Sequence, residues 1–153
     1  MKVLTGDIFK SKMQTLITPV NCMRVMGKGL ALEFKKRFPG MFNDYVDKCN
    51  FDEVQLGFPY MYDFLGPPYI IIFPTKDRWW STSEIEDIET GLDYIVDHYI
   101  RWRVTSLAIP ALGCGYGGLK WEVVRPLIYK AVKQMDIPVE IYAPVGAELE
   151  EGR

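Results

Sequence analysis

A chain of 153 residues is long enough for one domain with a substantial core and too short for two of ordinary size. Its composition, 48% hydrophobic, 25% charged and 14% aromatic, excludes a disordered or fibrous protein. A formal net charge of −2 excludes a grip on duplex nucleic acid made mainly by phosphate neutralisation, although a local basic rim stays open.

In chain order, Lys2 to Leu4 and Thr15 to Val20 are β-prone runs on either side of a turn at Gly6-Asp7. Gly29 to Arg37 reads as a helix, with Leu30, Phe34 and Phe38 at i, i+4, i+8. Pro39-Gly40 breaks it, and Met41 to Cys49 is a second helical stretch. Phe58 to Phe64 and Tyr69 to Phe73 are strands separated by Gly66-Pro67-Pro68. Ser81-Thr82-Ser83-Glu84 has capping-box spacing and opens the longest helix, to about Tyr99, with Ile85, Ile88, Leu92, Ile95 and Tyr99 on one face. Ser106 to Leu112 is a strand, Trp121 to Met135 a helix with Trp121, Val124, Ile128 and Met135 inward, and Val139 to Ala143 a closing strand. This alternation predicts a single α/β domain over 1–153: three layers, α/β/α, around a mixed, mostly parallel sheet. Ligands of such sheets sit at the carboxyl ends of the strands, where both glycine clusters fall.

The first cluster, Val25-Met26-Gly27-Lys28-Gly29, follows the strand ending at Val20-Asn21 and opens a helix. It offers close backbone approach and free N–H groups to an anion. It is not a Walker A loop, which requires glycine where Cys22 stands and Ser or Thr where Gly29 stands. The alternative is a plain strand-to-helix turn. The second cluster, Gly113-Cys114-Gly115-Tyr116-Gly117-Gly118, formally matches G-x-G-x-x-G. Too little chain follows it for a Rossmann half, so a dehydrogenase is excluded while a diphosphate cradle is retained.

Asp7 suits either a hydrogen bond from an exocyclic amine or a turn and cap role. Lys76, at the mouth of an apolar strand, suits an amine nucleophile with a lowered pKa, against the commoner inert surface lysine. Trp79 and Trp80 either cover the core edge or offer a stacking surface, and Arg78 beside them suits a phosphate contact or plain solvation. His98 reads as structural. Cys22 and Cys114 have no histidine partner in the pattern, so a thiolate nucleophile has no support. The three cysteines and one histidine form no zinc motif or disulfide framework. With no apolar run long enough for a signal peptide or a bilayer span, the expectation is a cytoplasmic monomer without a metal. Glu148 to Arg153 reads as a frayed, solvated end.

The order Gly6-Asp7-Ile8, Pro19-Val20-Asn21, Val25 to Ala31 with Phe34-Lys35, Phe73-Pro74-Thr75-Lys76, then Ile109 to Gly115 and Gly117 to Trp121, resembles macrodomains. The likeness is closest to the branch containing the DarG antitoxins and the human terminal ADP-ribose glycohydrolase. It runs over essentially the whole chain. It implies an ADP-ribosyl glycohydrolase that binds ADP-ribose and removes it from thymidine bases of single-stranded DNA, reversing a DarT-like toxin. No cofactor is implied, ADP-ribose being ligand and product.

On the same resemblance, Asp7 holds the adenine amine and Ile8 contacts the base through its backbone. Asn21 binds the distal ribose and shares the catalytic centre with Lys76, which acts at the anomeric carbon as nucleophile or by stabilising the leaving base. Val25 to Gly29 and Gly113 to Gly118 clasp the diphosphate and ribose, and Thr75, Pro110, Leu112 and Tyr142 complete the ligand shell. Two positions depart from the branch. Gly117 stands where the human enzyme has an aspartate that resolves its adduct, and Arg78 where DarG sequences often have histidine. A non-catalytic ADP-ribose reader and a hydrolase of small ADP-ribose metabolites are the alternative functions.

Overall fold

The computed structural model describes residues 1–149. Of the tail expected over 148–153, residues 150–153 lie outside them. The strands are β1 (Lys2–Leu4), β2 (Thr15–Asn21), β3 (Tyr60–Tyr62), β4 (Tyr69–Lys76), β5 (Leu107–Pro110) and β6 (Val139–Tyr142). The helices are α1 (Gly29–Arg37), α2 (Pro39–Asn50), α3 (Ile85–His98) and α4 (Trp121–Val132). The strands form one six-stranded sheet in the order β1-β6-β5-β2-β4-β3. Every pair is parallel except β3 with β4. The mixed, mostly parallel sheet read from the sequence is the one observed.

The sheet is buried on both faces, and the two-residue period of a strand divides its side chains between two cores. Leu16, Ile70, Ile72 and Ala108 pack on one side with Phe34 of α1 and Met41 and Tyr45 of α2. Their neighbours Ile17, Ile71, Phe73 and Ile109 pack on the other side with Ile88, Leu92 and Ile95 of α3 and Val124 and Ile128 of α4. Continuous apolar runs such as Ile70-Ile71-Ile72-Phe73 therefore serve both layers at once.

Five local expectations need correction. Pro39 does not merely end α1. It occupies the first turn of α2, where its missing N–H and fixed φ cost nothing, so α2 begins two residues earlier than predicted. The strand expected over Phe58 to Phe64 shrinks to Tyr60–Tyr62, an edge strand with Phe58 and Phe64 exposed. β4 instead runs on to Lys76, because it pairs with β2 along its length. β5 ends at Pro110, since Leu112 turns back and its N–H donates to the Pro110 carbonyl at 2.9 Å.

The capping box before α3 does not form. Glu84 is the N-cap and its side chain makes no capping bond. The Ser83 N–H instead donates to the Gly117 carbonyl at 2.9 Å, which holds the segment extended against the second glycine loop. The Ser81 N–H, the donor a capping box would satisfy, goes to the Arg78 carbonyl at 3.0 Å. Among the described residues, no helix is long and apolar enough to cross a membrane.

Candidate active site

A cleft of about 810 Å³ opens at the carboxyl ends of the strands, within the usual size range of small-molecule sites. The loop after β1 contributes Asp7 and Ile8 to it, the loop after β2 contributes Val25 to Gly29, and the end of β4 contributes Thr75 and Lys76. The chain after β5 adds Pro110, Gly113, Cys114, Gly115, Tyr116 and Gly117, and β6 adds Tyr142. Asn21, at the end of β2, faces the same space.

Two residues expected there are elsewhere. Leu112 is fully buried among the side chains of α3 and α4, because the turn after Pro110 rotates it into the core. Gly118 closes the turn over Gly115–Gly117 with a left-handed φ of +81° and does not line the cleft. Phe9 and Arg37, which carry no signal in the sequence, also line it. They were hidden because Arg37 comes from the far end of α1 and stacks its guanidinium 4.3 Å from the Phe9 ring.

The first loop is shaped by the amide of Asn21. Its Nδ2 donates to the Val25 carbonyl and its Oδ1 accepts from the Met23 N–H, each at 2.8 Å. The hydroxyl of Tyr45, fully buried on α2, lies 2.8 Å from both the backbone and side-chain oxygens of Asn21 and shares its one proton between them. Asn21 thus organises the loop, with one amide hydrogen left for the cleft. Tyr45 gave no sequence signal beyond an apolar helix position.

The second loop needs glycine at Gly113. Its φ is +74°, and a Cβ there would come within 2.7 Å of the Leu119 side chain. Across the cleft, Gly29 has φ +62° and faces the Tyr116 ring. Among the described residues, the backbone N–H groups of Gly27, Lys28, Gly115 and Tyr116 meet no protein acceptor. Unpaired donors from two loops facing one cleft make an anion cradle.

Asp7 caps the turn Ile8–Lys10, its Oδ1 accepting from the Phe9 N–H at 2.9 Å. That occupies Oδ1, while Oδ2 of this cleft-lining residue has no protein donor among the described residues. The Lys76 amine lies 3.5 Å from the Tyr116 carbonyl, at the meeting point of the two loops. Partial burial, and then the nearby charge of Lys28, hold the Lys76 pKa below its ordinary value. Lys28 lies 4.3 Å from the Tyr116 ring centroid and 5.9 Å from that of Trp79. Two ammonium groups beside free N–H donors give the cleft a positive focus.

The thiols behave otherwise. Burial, aided by Asp77, pushes Cys22 up to about 12, and burial pushes Cys114 up to about 11. Neither is a thiolate at neutral pH. His98 stacks on Tyr94 with ring centroids 3.9 Å apart and bonds the Tyr94 carbonyl, a structural role far from the cleft.

Known proteins share this architecture. The family model described as Macro domain matches residues 17–128. A *Thermosipho africanus* DNA ADP-ribosyl transferase-DNA ADP-ribosyl glycohydrolase fusion protein is 40% identical over 95% of this chain and 42% of its own length. A structure of *Thermosipho africanus* DarTG in complex with ADP-ribose superposes with a TM-score of 0.89 at 42% identity, covering 97% of this chain and 42% of that one. A *Mycobacterium tuberculosis* DNA ADP-ribosyl glycohydrolase is 39% identical over 93% of this chain and 42% of its own length. The chain thus spans about 42% of the length of these curated relatives. The isolated macrodomain of *Thermus aquaticus* DarG matches with a TM-score of 0.88 at 38% identity, over 94% of this chain and 97% of that one. Sheet order, the paired loops and these matches lead to one assignment: the chain belongs to the macro domain family, in the branch of the DarG macrodomains.

Proposed function

We propose that this macrodomain is an ADP-ribosyl glycohydrolase that releases ADP-ribose from thymidine bases of single-stranded DNA. The observation that carries the reading is the Lys76 amine in the cleft, 3.5 Å from the Tyr116 carbonyl, between two loops with free N–H donors. The names of the relatives, DNA ADP-ribosyl glycohydrolase among them, support the choice of DNA. The ADP-ribose in the *Thermosipho africanus* structure supports the ligand.

In this reading the diphosphate lies over the N–H groups of Gly27, Lys28, Gly115 and Tyr116. The free carboxylate oxygen of Asp7 accepts from the adenine amine, with Ile8 and Tyr142 beside the base. The remaining amide hydrogen of Asn21 donates to the distal ribose, which sets its anomeric carbon against Lys76. The lowered pKa favours the free amine, whose lone pair attacks the anomeric carbon while the base leaves with the bonding pair. Water then resolves the adduct. In the competing course the ammonium stabilises the departing base. The transferase half of the *Thermosipho africanus* fusion points to a DNA ADP-ribosyl transferase as the enzyme whose product is consumed.

The test is release of ADP-ribose from ADP-ribosylated single-stranded DNA by the protein and its Lys76→Ala variant. Full activity in the variant ends the lysine mechanism, and no activity in either ends the DNA assignment. Reduction with cyanoborohydride during turnover separates the two courses, since only the covalent one leaves ADP-ribose on Lys76.

A further inference from the structure

Trp79 and Trp80 follow Lys76 by three and four residues, and both are about half exposed, at 46% and 55%. Their rings meet edge to face with centroids 5.1 Å apart. Trp79 lines the cleft, whereas Trp80 lies outside it and carries the Arg78 guanidinium 5.5 Å from its ring centroid. Tyr116, 64% exposed, stands on the opposite lip with Lys28 between it and Trp79. The mouth of the cleft is therefore an aromatic ledge flanked by Lys28, Lys76 and Arg78, on a chain whose net charge is −2. Asp77 is the acidic neighbour, 3.9 Å from Arg78 and exposed to solvent, so it neutralises that cation only weakly.

Two indoles in edge-to-face contact, each about half exposed, do not bury their own apolar surface. With Trp79 meeting it edge to face and Arg78 lying over its ring, Trp80 still exposes about half of its surface, apolar ring that a flat partner can cover. Nucleic acid bases freed from a duplex are such partners, and the cations beside them suit the adjoining phosphates. We propose that Trp80 and Arg78 form a docking site for the nucleotide next to the modified one: the base stacks on Trp80 and its phosphate meets Arg78. The inference rests on DNA as the substrate. It adds that the protein reads the strand beyond the ADP-ribosylated base. In a duplex, the neighbouring base is already stacked and no face is free for the indole.

Trp80→Ala, Trp80→Phe and Arg78→Ala variants, checked for an unchanged melting temperature, test it in two ways. The first readout is binding of an unmodified fluorescent single-stranded oligonucleotide. Loss of one stacked base weakens it about tenfold in Trp80→Ala and partly recovers in Trp80→Phe. Arg78→Ala lowers the slope of log affinity against log salt by about one unit. The second readout is KM for an ADP-ribosylated oligonucleotide against an ADP-ribosylated thymidine mononucleotide. Trp80→Ala raises the first about tenfold at constant kcat and leaves the second unchanged. Equal oligonucleotide binding by the wild-type protein and Trp80→Ala overturns the docking site, as does a KM increase shared by both substrates. A Trp80→Ala defect confined to ADP-ribosylated protein overturns it in favour of a polypeptide target. If the wild-type protein releases ADP-ribose from no DNA, the DNA assignment fails, and the binding readout still decides the docking site.

Discussion

Asn21 and Lys76 are register partners on neighbouring parallel strands, brought opposite each other by a shift in the β2–β4 ladder after Val20. The shift ends regular pairing where both strands reach the cleft, so the residue that shapes the first loop and the amine between the loops share one fixed platform. Lys76→Ala removes the amine and leaves this platform and the N–H cradle in place. Glycohydrolase activity then falls by about two orders of magnitude or more. ADP-ribose affinity by calorimetry changes by less than about threefold, because uniform binding does not depend on the amine. A parallel loss of affinity would make Lys76 a binding residue instead.

Burial and then the charge of Lys28 lower the Lys76 pKa. A lowered pKa brings the neutral amine into being at a lower pH, so a free-amine mechanism shows kcat rising with pH along a limb displaced below the ordinary lysine range. Lys28→Met removes the smaller of the two causes, raises the Lys76 pKa part of the way back and shifts that limb to higher pH. If Lys76 acts as an ammonium, the limb falls with pH instead, and the variant moves it upward too. The pH profile of kcat at saturating substrate distinguishes the two.

Tyr45→Phe deletes the hydroxyl that both oxygens of Asn21 share, inside a fully buried pocket. Leaving those acceptors with one donor fewer costs about 1–3 kcal/mol. Part of the loss appears in stability and part as looser organisation of the first loop. The expected result is a lower melting temperature together with weaker ADP-ribose binding, while activity at saturating ligand stays near that of the wild type. Unchanged affinity would remove Tyr45 from the binding argument.

Gly113 and Gly115 both have positive φ, +74° and +63°, yet differ in surroundings. A Cβ at Gly115 meets nothing within 4 Å, whereas one at Gly113 meets the Leu119 side chain at 2.7 Å. Gly115→Ala should cost about 1–2 kcal/mol for the left-handed backbone alone. Gly113→Ala adds overpacking of about 1–3 kcal/mol. Thermal melts in which the two variants are equally destabilised would contradict this.

Cys22 and Cys114 both lie in or beside the loops, with pKa values pushed up to about 12 and about 11. At pH 7.5 their thiolate fraction is negligible, so iodoacetamide should leave glycohydrolase activity intact over the time in which a free reactive cysteine is fully alkylated. Rapid inactivation protected by ADP-ribose would restore a thiol role.

The sequence by itself determined the element order, because apolar periods of 2.0 and 3.6 are local properties and the two cores require them at Leu16 and Ile17, at Ile71 and Ile72, and along α3. It also determined where the glycine loops fall and that Lys76 ends an apolar strand. Tertiary structure decided what local pattern could not encode. The Ser81–Glu84 capping box gave way to an extended segment whose Ser83 N–H bonds the Gly117 carbonyl, Tyr45 reached Asn21 from another helix, and Leu112 turned away from the cleft into the core. It also set Arg37 beside Phe9 and Lys28 close enough to lower the Lys76 pKa. Each of these is a bond, contact or field between residues apart in sequence, and its energy exists only once the sheet has brought the loops together.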